Sequence, residues 1–167
     1  ETILKEKYKI NKTDSLIILK TDIKSQDLLT TYVQYKLFDP KTYKQLDLKK
    51  SLSQLKEGVI SLSAMLNKHG KGTVYFGVND EGVHVGVAIG KKTKADIINE
   101  IQKNLKPRPN SVDINEEIVE DKTILKVLVS GNDTPYSAYG RYYVRANDSD
   151  IQMNSYQLQN YFQEKED

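Results

Sequence analysis

Apolar residues recur along this chain with two periods, that of a helix and that of a strand. The helical period is strongest after Ser51, where apolar residues follow one another at spacings of three and four: Leu52, Leu55, Val59, Leu62 and Leu66. Ser51 and Gln54 have the spacing of a capping box, and Gly70 is a natural helix end. The pattern therefore predicts a helix between Ser51 and Gly70, with Gly58 inside it permitting close packing.

Alternating apolar and polar positions predict several strands. They fall in the runs 15–23, 31–38, 43–50, 71–78, 83–87, 111–120, 123–131 and 140–148. The runs 31–38 and 43–50 flank Asp39-Pro40-Lys41-Thr42, a type I turn sequence, and are predicted to form a hairpin. Within 43–50, Leu46 and Leu48 are expected to face one way and Asp47 the other.

Residues 71–87 contain a Gly in each of two short β-runs, Gly77 and Gly86, on either side of a turn at 79–82. A Gly inside a strand marks a bulge or the close approach of a backbone or ligand. The stricter phosphate-binding patterns are absent here, because no Lys-Ser/Thr follows the glycines and no GxGxxG leads into a helix. Close backbone packing is therefore the favoured interpretation.

Two further helices complete the predicted elements. One spans about Thr93 to Leu105 and the other begins near Asn154-Ser155. A second hairpin is expected around Asp121-Lys122. Hairpin-joined strands mixed with helices indicate an α+β fold, with a mixed, largely antiparallel sheet and about three packed helices.

Composition narrows the class of protein. The chain has 167 residues, enough for one domain with a real core, and its lack of Cys excludes disulfides, thiolate metal sites and Cys nucleophiles. No apolar run reaches the ~18–20 residues of a membrane span, so we expect no membrane partner and a cytoplasmic location. The net charge is only +2, but residues up to Lys56 balance to +5 and the remainder to −3. Such a split is typical either of a nucleic-acid face or of an ordinary Lys-rich surface.

Basic and aromatic residues form the first candidate site. In "GRYYVR", alternation places Arg141, Tyr143 and Arg145 on one face of a strand. Other basic residues precede the second helix, where amide N–H groups also favour phosphate, or lie nearby: Lys91, Lys92, Lys94, Lys68, Lys71 and Arg108. Basic side chains on a sheet edge bind phosphates, and Tyr offers stacking to unpaired bases, although Tyr is also an ordinary strand residue.

Carboxylates form the second candidate site. Asp47, Glu57 and Asp80 could converge at strand ends and hold a divalent metal, which needs oxygen ligands. The alternative is structural: Asp80 belongs to an Asn-Asp turn, and Asp47 pairs with a lysine across its hairpin. Spacing alone favours the structural interpretation, with no metal.

The order of these segments resembles the Schlafen AlbA-type domain. The resemblance is carried by "LDLKKSLSQLKEGVISLSAMLNKHGKGTVYFGVNDEGVHVGV", then "IQKNLKPRP", "TPYSAYGRYYVRANDSD" and "YQLQNYF", over roughly residues 43–162. It places a domain at 43–167 after an N-terminal extension, 1–42, that packs on it. It implies DNA or RNA binding, often as the N-terminal module of a bacterial transcriptional regulator, and self-association into a homo-oligomer.

Some Schlafen proteins carry a metal-dependent RNase site of three acids. Carried over by motif, the second acid is Asp47 and the third is Asp80, but the first position is Thr42, and neither Asp39 nor Glu57 stands at the matching place. Loss of one carboxylate weakens binding of a hard cation. We therefore predict a nucleic-acid-binding domain without cofactor or nuclease activity. The alternatives are an endoribonuclease with a degraded carboxylate site, and a protein–protein or dimerisation module.

Overall fold

The structure, a computed structural model, describes residues 46–166. The predicted strands at 15–23 and 31–38, the hairpin between 31–38 and 43–50, and the extension 1–42 lie outside the described residues. Thr42 and Asp39 lie outside them as well.

The described part of the chain contains three α-helices, α1 (Leu55–His69), α2 (Thr93–Asn104) and α3 (Ser155–Glu166), and a 3-10 turn at Leu52–Gln54. Its strands are β1 (Leu46–Lys49), β2 (Lys71–Phe76), β3 (Leu105–Lys106), β4 (Ser111–Val119), β5 (Lys122–Ser130), β6 (Ser137–Ala138), β7 (Arg141–Ala146) and β8 (Ser149–Gln152). All three predicted helices are confirmed.

The strands form two four-stranded sheets, with orders β1-β2-β5-β4 and β3-β6-β7-β8. β1 runs parallel to β2, and the other pairs are antiparallel. The fold is therefore α+β, as the sequence predicts. The β4–β5 hairpin turns at Glu120-Asp121, both with positive φ, as a two-residue type I′ turn requires.

Helix α1 begins and ends as its sequence indicates. Ser51 Oγ accepts a hydrogen bond from the Ser53 amide, and Gln54 Oε1 accepts one from the Lys50 amide, both at 3.1 Å. The helix ends at Gly70, which has a φ of 73°. A Cβ on Gly58 would lie 2.7 Å from the Phe76 ring, so this glycine lets α1 lie close to β2.

The core lies between the first sheet and the helices, and α1 contacts both β2 and β7. Its buried members include Val59, Leu62, Met65, Leu66, Val74, Phe76, Ile97, Ile101, Leu125, Val127 and Val129. In the part of the chain that the structure describes, no helix is long and apolar enough to cross a membrane.

Asn67, buried on α1, fastens the helix to the second sheet. Its amide Nδ2 donates to the carbonyl oxygens of Tyr136 (2.9 Å) and Tyr143 (2.7 Å), and its Oδ1 accepts from the Tyr136 amide at 2.6 Å. The buried polar atoms of this side chain are therefore used in holding α1 against β7.

Gly77 and Gly86 lie where two backbone segments touch. The strand predicted after the turn at 79–82, the one that contains Gly86, is wrong. After β2 the chain makes one isolated bridge, between Val78 and His84. The Gly77 carbonyl accepts from the amides of Val85 (2.8 Å) and Gly86 (2.9 Å). A Cβ on Gly77 would lie 3.2 Å from the Gly86 backbone. Close backbone packing, the favoured interpretation of both glycines, is confirmed.

We expect Gly77→Ala to destabilise the protein by about 2–4 kcal/mol, through strain at positive φ and crowding against the Gly86 backbone. Gly140→Ala is the matched control, because Gly140 also has a positive φ (76°) but its Cβ would meet nothing within 4 Å. The control should cost about 1–2 kcal/mol. Urea denaturation measures both, and equal losses would contradict the crowding.

Candidate nucleic-acid interface

Arg145 of β7 lies at the centre of a buried ion cluster that links the two sheets. Its Nη1 donates to Asp150 Oδ1 of β8 at 2.8 Å, and its Nη2 donates to Asp47 Oδ1 of β1 at 3.2 Å and to the Leu46 carbonyl at 3.1 Å. The Arg145 side chain is 2% exposed. Ser61 of α1 donates to the other oxygen of Asp150, so the helix joins the cluster.

Asp47 points toward the helix side of its sheet, opposite to Leu46 and Leu48. Asp47 is in register with Val74, a core residue beneath α1, and residues in register share a sheet face. Leu46 and Leu48 lie on the opposite face and are also buried, so both faces of β1 are covered. The predicted alternation, with Leu46 and Leu48 on one face and Asp47 on the other, is therefore confirmed, and the face toward the helix carries the ion pair.

Lys49 supplies a second positive charge beside Asp47, with its Nζ 3.0 Å from Oδ2. This contact is not aligned as a hydrogen bond. Asp47 Oδ2 and Arg145 Nε are buried without a hydrogen-bond partner among the described residues. Because these two atoms lack hydrogen-bond partners, the cluster is held more by attraction between opposite charges than by hydrogen bonds.

The predicted phosphate-binding face of β7 is corrected by this arrangement. The guanidinium of Arg145 is bonded to two carboxylates and is not exposed to a phosphate, and Tyr143 is half-buried with its carbonyl bonded to Asn67. Arg141 is exposed at the start of the strand and remains a candidate for phosphate binding. The hairpin sequence contains the missed signal, since Arg145 is directly opposite Asp150 in "RANDSD".

The candidate carboxylates occupy separate places. Asp80 is exposed in a turn closed by Asn79, whose Oδ1 accepts from the amides of Glu81 (3.1 Å) and Val83 (2.8 Å). Glu57 is exposed in the first turn of α1, and Asp47 belongs to the Arg145 cluster. Residues 46–166 contain no group of three or more His, Asp or Glu side chains placed to hold a metal ion.

Three of the predicted basic residues surround one junction at the start of β2 and β4. There the Gly131 amide donates to the Gly70 carbonyl at 2.9 Å, and Asn132, the next residue, donates to Asn110 Oδ1 at 3.4 Å. Lys68 and Lys71 flank Gly70 in the chain, and Arg108 precedes Asn110 by two residues. We call Lys68, Lys71 and Arg108, all exposed, the basic end.

Two lysines that the sequence analysis missed lie beside the basic end. Lys106 of β3 precedes Arg108 by two residues, and its Nζ donates to the Gln102 carbonyl at 2.9 Å. Lys165 of α3 pairs with Asp133, which follows β5 in the same junction. No periodic pattern connects these lysines to Lys68, because they come from three distant segments.

Three other predicted basic residues, Lys91, Lys92 and Lys94, lie at the opposite end of the first sheet. Lys94 pairs with Glu116 at 3.0 Å, and Glu116 is level with Leu125 and with Phe76, the last residue of β2. Lys71 begins β2, so the two ends are separated by about 17 Å of strand. Lys91 and Lys92 precede α2 and are exposed at this second end.

The second end also carries acidic residues: Glu116, Glu117, Glu120 and Asp121. Glu120 and Glu117 act on His84, which is buried where the chain bridges to Val78. Burial lowers the pKa of His84, and the two carboxylates oppose that effect without overcoming it. Charge on this domain is therefore separated, with a basic end and a mixed, partly acidic one.

Comparison with known proteins supports the resemblance seen in the sequence. A family model described as Schlafen, AlbA_2 matches residues 43–154. The DIP2311 protein of Corynebacterium diphtheriae has a similar structure, at 16% identity and a TM-score of 0.57, over 71% of this chain and 23% of its own. This chain thus spans about a quarter of the length of that protein.

A second structure is similar at 19% identity and a TM-score of 0.50, over 75% of this chain and 88% of its own. It is the N-terminal domain of a RecG-related protein from Nitrosomonas europaea whose name refers to an ATP-dependent DNA helicase. At these identities the two structures show a shared fold. No curated protein matches this chain.

We expect Arg145→Ala to destabilise the protein by about 3–5 kcal/mol, because it leaves Asp150 without its counter-charge and Asp47 with only Lys49 beside it. Arg141→Ala, at the exposed start of the same strand, is the control and should change stability by less than about 0.5 kcal/mol. Urea denaturation at pH 7 measures both. A loss of under about 1 kcal/mol for Arg145→Ala would show that the cluster is not a stabilising link.

His84 makes stability depend on pH. Its pKa is lowered in the folded state, so the unfolded chain binds the proton more readily, and stability falls as pH decreases through and below about 6.5. We expect the free energy of unfolding to fall more between pH 8 and pH 5 for the unmodified protein than for His84→Gln. Parallel curves for the two proteins would refute this origin of the pH dependence.

Proposed function

Because its residues 43–154 match the family model, this chain belongs to the Schlafen AlbA_2 family, and we propose that its domain binds nucleic acid through phosphate contacts at the basic end. The observation that carries the proposal is the convergence of Lys68, Lys71 and Arg108 on the Gly70–Gly131 junction. Two distant segments contribute these side chains, residues 68–71 and the stretch around Arg108, and a backbone hydrogen bond between Gly131 and Gly70 lies at the junction.

The physical basis is electrostatic. Lysine and arginine side chains that neutralise phosphates release counterions, which gives affinity with little dependence on sequence and a steep dependence on salt. The described residues place Lys68, Lys71 and Arg108 at one end, while the other end mixes Lys91, Lys92 and Lys94 with carboxylates. A polyanion is therefore attracted more strongly to the basic end than to the mixed end.

The similar structure of the RecG-related N-terminal domain agrees with a role near nucleic acid, since its name refers to a DNA helicase. We propose further that this domain is the N-terminal module of a bacterial transcriptional regulator. Self-association of this domain into a homo-oligomer also stays a prediction.

The nuclease alternative has less support from the site. Arg145 and Lys49 neutralise Asp47, the position that a metal site would need as a carboxylate ligand. Asp80 is exposed in a separate turn. We therefore propose binding without cleavage.

Fluorescence anisotropy across a salt titration tests the proposal, with single-stranded DNA, duplex DNA and hairpin RNA as ligands, with and without Mn²⁺. We expect salt-sensitive binding that leaves the ligand intact. In the combined variant Lys68→Ala, Lys71→Ala, Arg108→Ala, the slope of log K against log salt should decrease by about 1 per side chain, hence by about 3.

The double variant Lys91→Ala, Lys92→Ala is the comparison at the opposite end and should leave the slope within about 0.5 of the unmodified value. A larger effect for that variant would move the interface to the start of α2. Absence of binding at low salt would overturn the proposed function, and metal-dependent cleavage that Asp80→Asn abolishes would establish the nuclease instead.

A further inference from the structure

Helix α3 brings an aromatic side chain to the side of the basic end. The Tyr161 hydroxyl donates to the Asn67 carbonyl at 2.7 Å, and Asn67 is the residue before Lys68. One turn later in the helix, Lys165 pairs with Asp133. The last turns of α3 therefore lie against the junction that defines the basic end.

Phe162, between these two anchors, is exposed. Its side chain is 46% exposed although it is a large apolar residue, and its neighbours toward solvent are polar, including Gln159 and Gln163. The ring lies 6.4 Å from that of Tyr142 between centroids, at 75°. The two rings therefore pack edge-to-face, and Tyr142 of β7 braces the Phe162 ring.

We propose that Phe162, braced by Tyr142, stacks on an unpaired base of a single-stranded nucleic acid whose phosphates contact the basic end. This inference rests on the proposed function and names its substrate class. Phe162 and Lys165 are three residues apart, about 4.5 Å along the helix axis, so a base and a neighbouring phosphate fit the two positions. In a duplex the base faces are already stacked, and Phe162 gains no such contact.

The surroundings of Phe162 favour a nucleic acid over a protein partner. A stable protein interface needs about 800 Å² per partner with an apolar centre, whereas the exposed neighbours of this ring along α3 are Gln159, Gln163, Glu164 and Lys165. An isolated aromatic face next to positive charge is the arrangement that single-strand binding uses.

Phe162→Leu removes the flat ring and keeps an apolar side chain against Tyr142. With the full chain and a labelled single-stranded DNA oligonucleotide, we expect affinity to fall about 5- to 100-fold, the range for one lost base–aromatic stack. The salt slope should not change, and affinity for the matching duplex should change by less than about twofold. Phe162→Trp should restore single-strand affinity.

Tyr156→Ala is the matched control. Tyr156 is also exposed on α3 (72%), but it lies six residues, or about 9 Å, nearer the start of the helix. It should bind single strands as the unmodified protein does. An equal loss for Tyr156→Ala, or an equal loss of duplex binding for Phe162→Leu, would overturn the inference.

The two failures are distinguishable. If the unmodified protein shows no salt-sensitive binding to any nucleic acid, the proposed function fails. If it binds and Phe162→Leu binds single strands equally well, only the stacking role fails. Circular dichroism and a thermal melt show whether Phe162→Leu is folded, and recovery in Phe162→Trp separates ring stacking from packing.

Discussion

The position of the second sheet depends on one buried charge. A guanidinium away from water costs free energy unless counter-charges are in place, and for Arg145 these come from Asp47 on one sheet and Asp150 on the other. Ser61 brings α1 to the same point. Nonpolar contacts could form in several relative arrangements, whereas this cluster is satisfied in one. We regard it as a device that selects the arrangement, since buried ion pairs are weak sources of net stability.

The same cluster explains where prediction from sequence succeeds and where it fails. Helix α1 follows directly from its apolar spacing and from Gly70, because both signals are local. The side of β1 that faces the helix does not follow, because Asp47 is turned inward by a partner 98 residues away. Alternation showed that Arg145 and Tyr142 lie on opposite faces of β7, but it could not show which face α1 covers.

The positions of basic residues in the sequence also predicted the candidate site incompletely. The lysines chosen from the sequence lie at two different ends of a sheet, and those at the basic end are brought together by the Gly70–Gly131 contact. Lys165 joins them from the last helix. A near-neutral domain can in this way present a surface on which one sign of charge predominates, because folding separates charges that the sequence mixes.

Asn67 has a consequence for ligand affinity. Its side chain bonds to the backbone of Tyr136 and Tyr143, and its carbonyl accepts from the Tyr161 hydroxyl, so one residue of α1 is tied to β7 and to α3. Conformational entropy at that surface is lost when the chain folds and need not be lost again on association. A nucleic acid bound as we propose would meet a surface whose shape is already set, so that weak individual contacts would suffice for useful affinity.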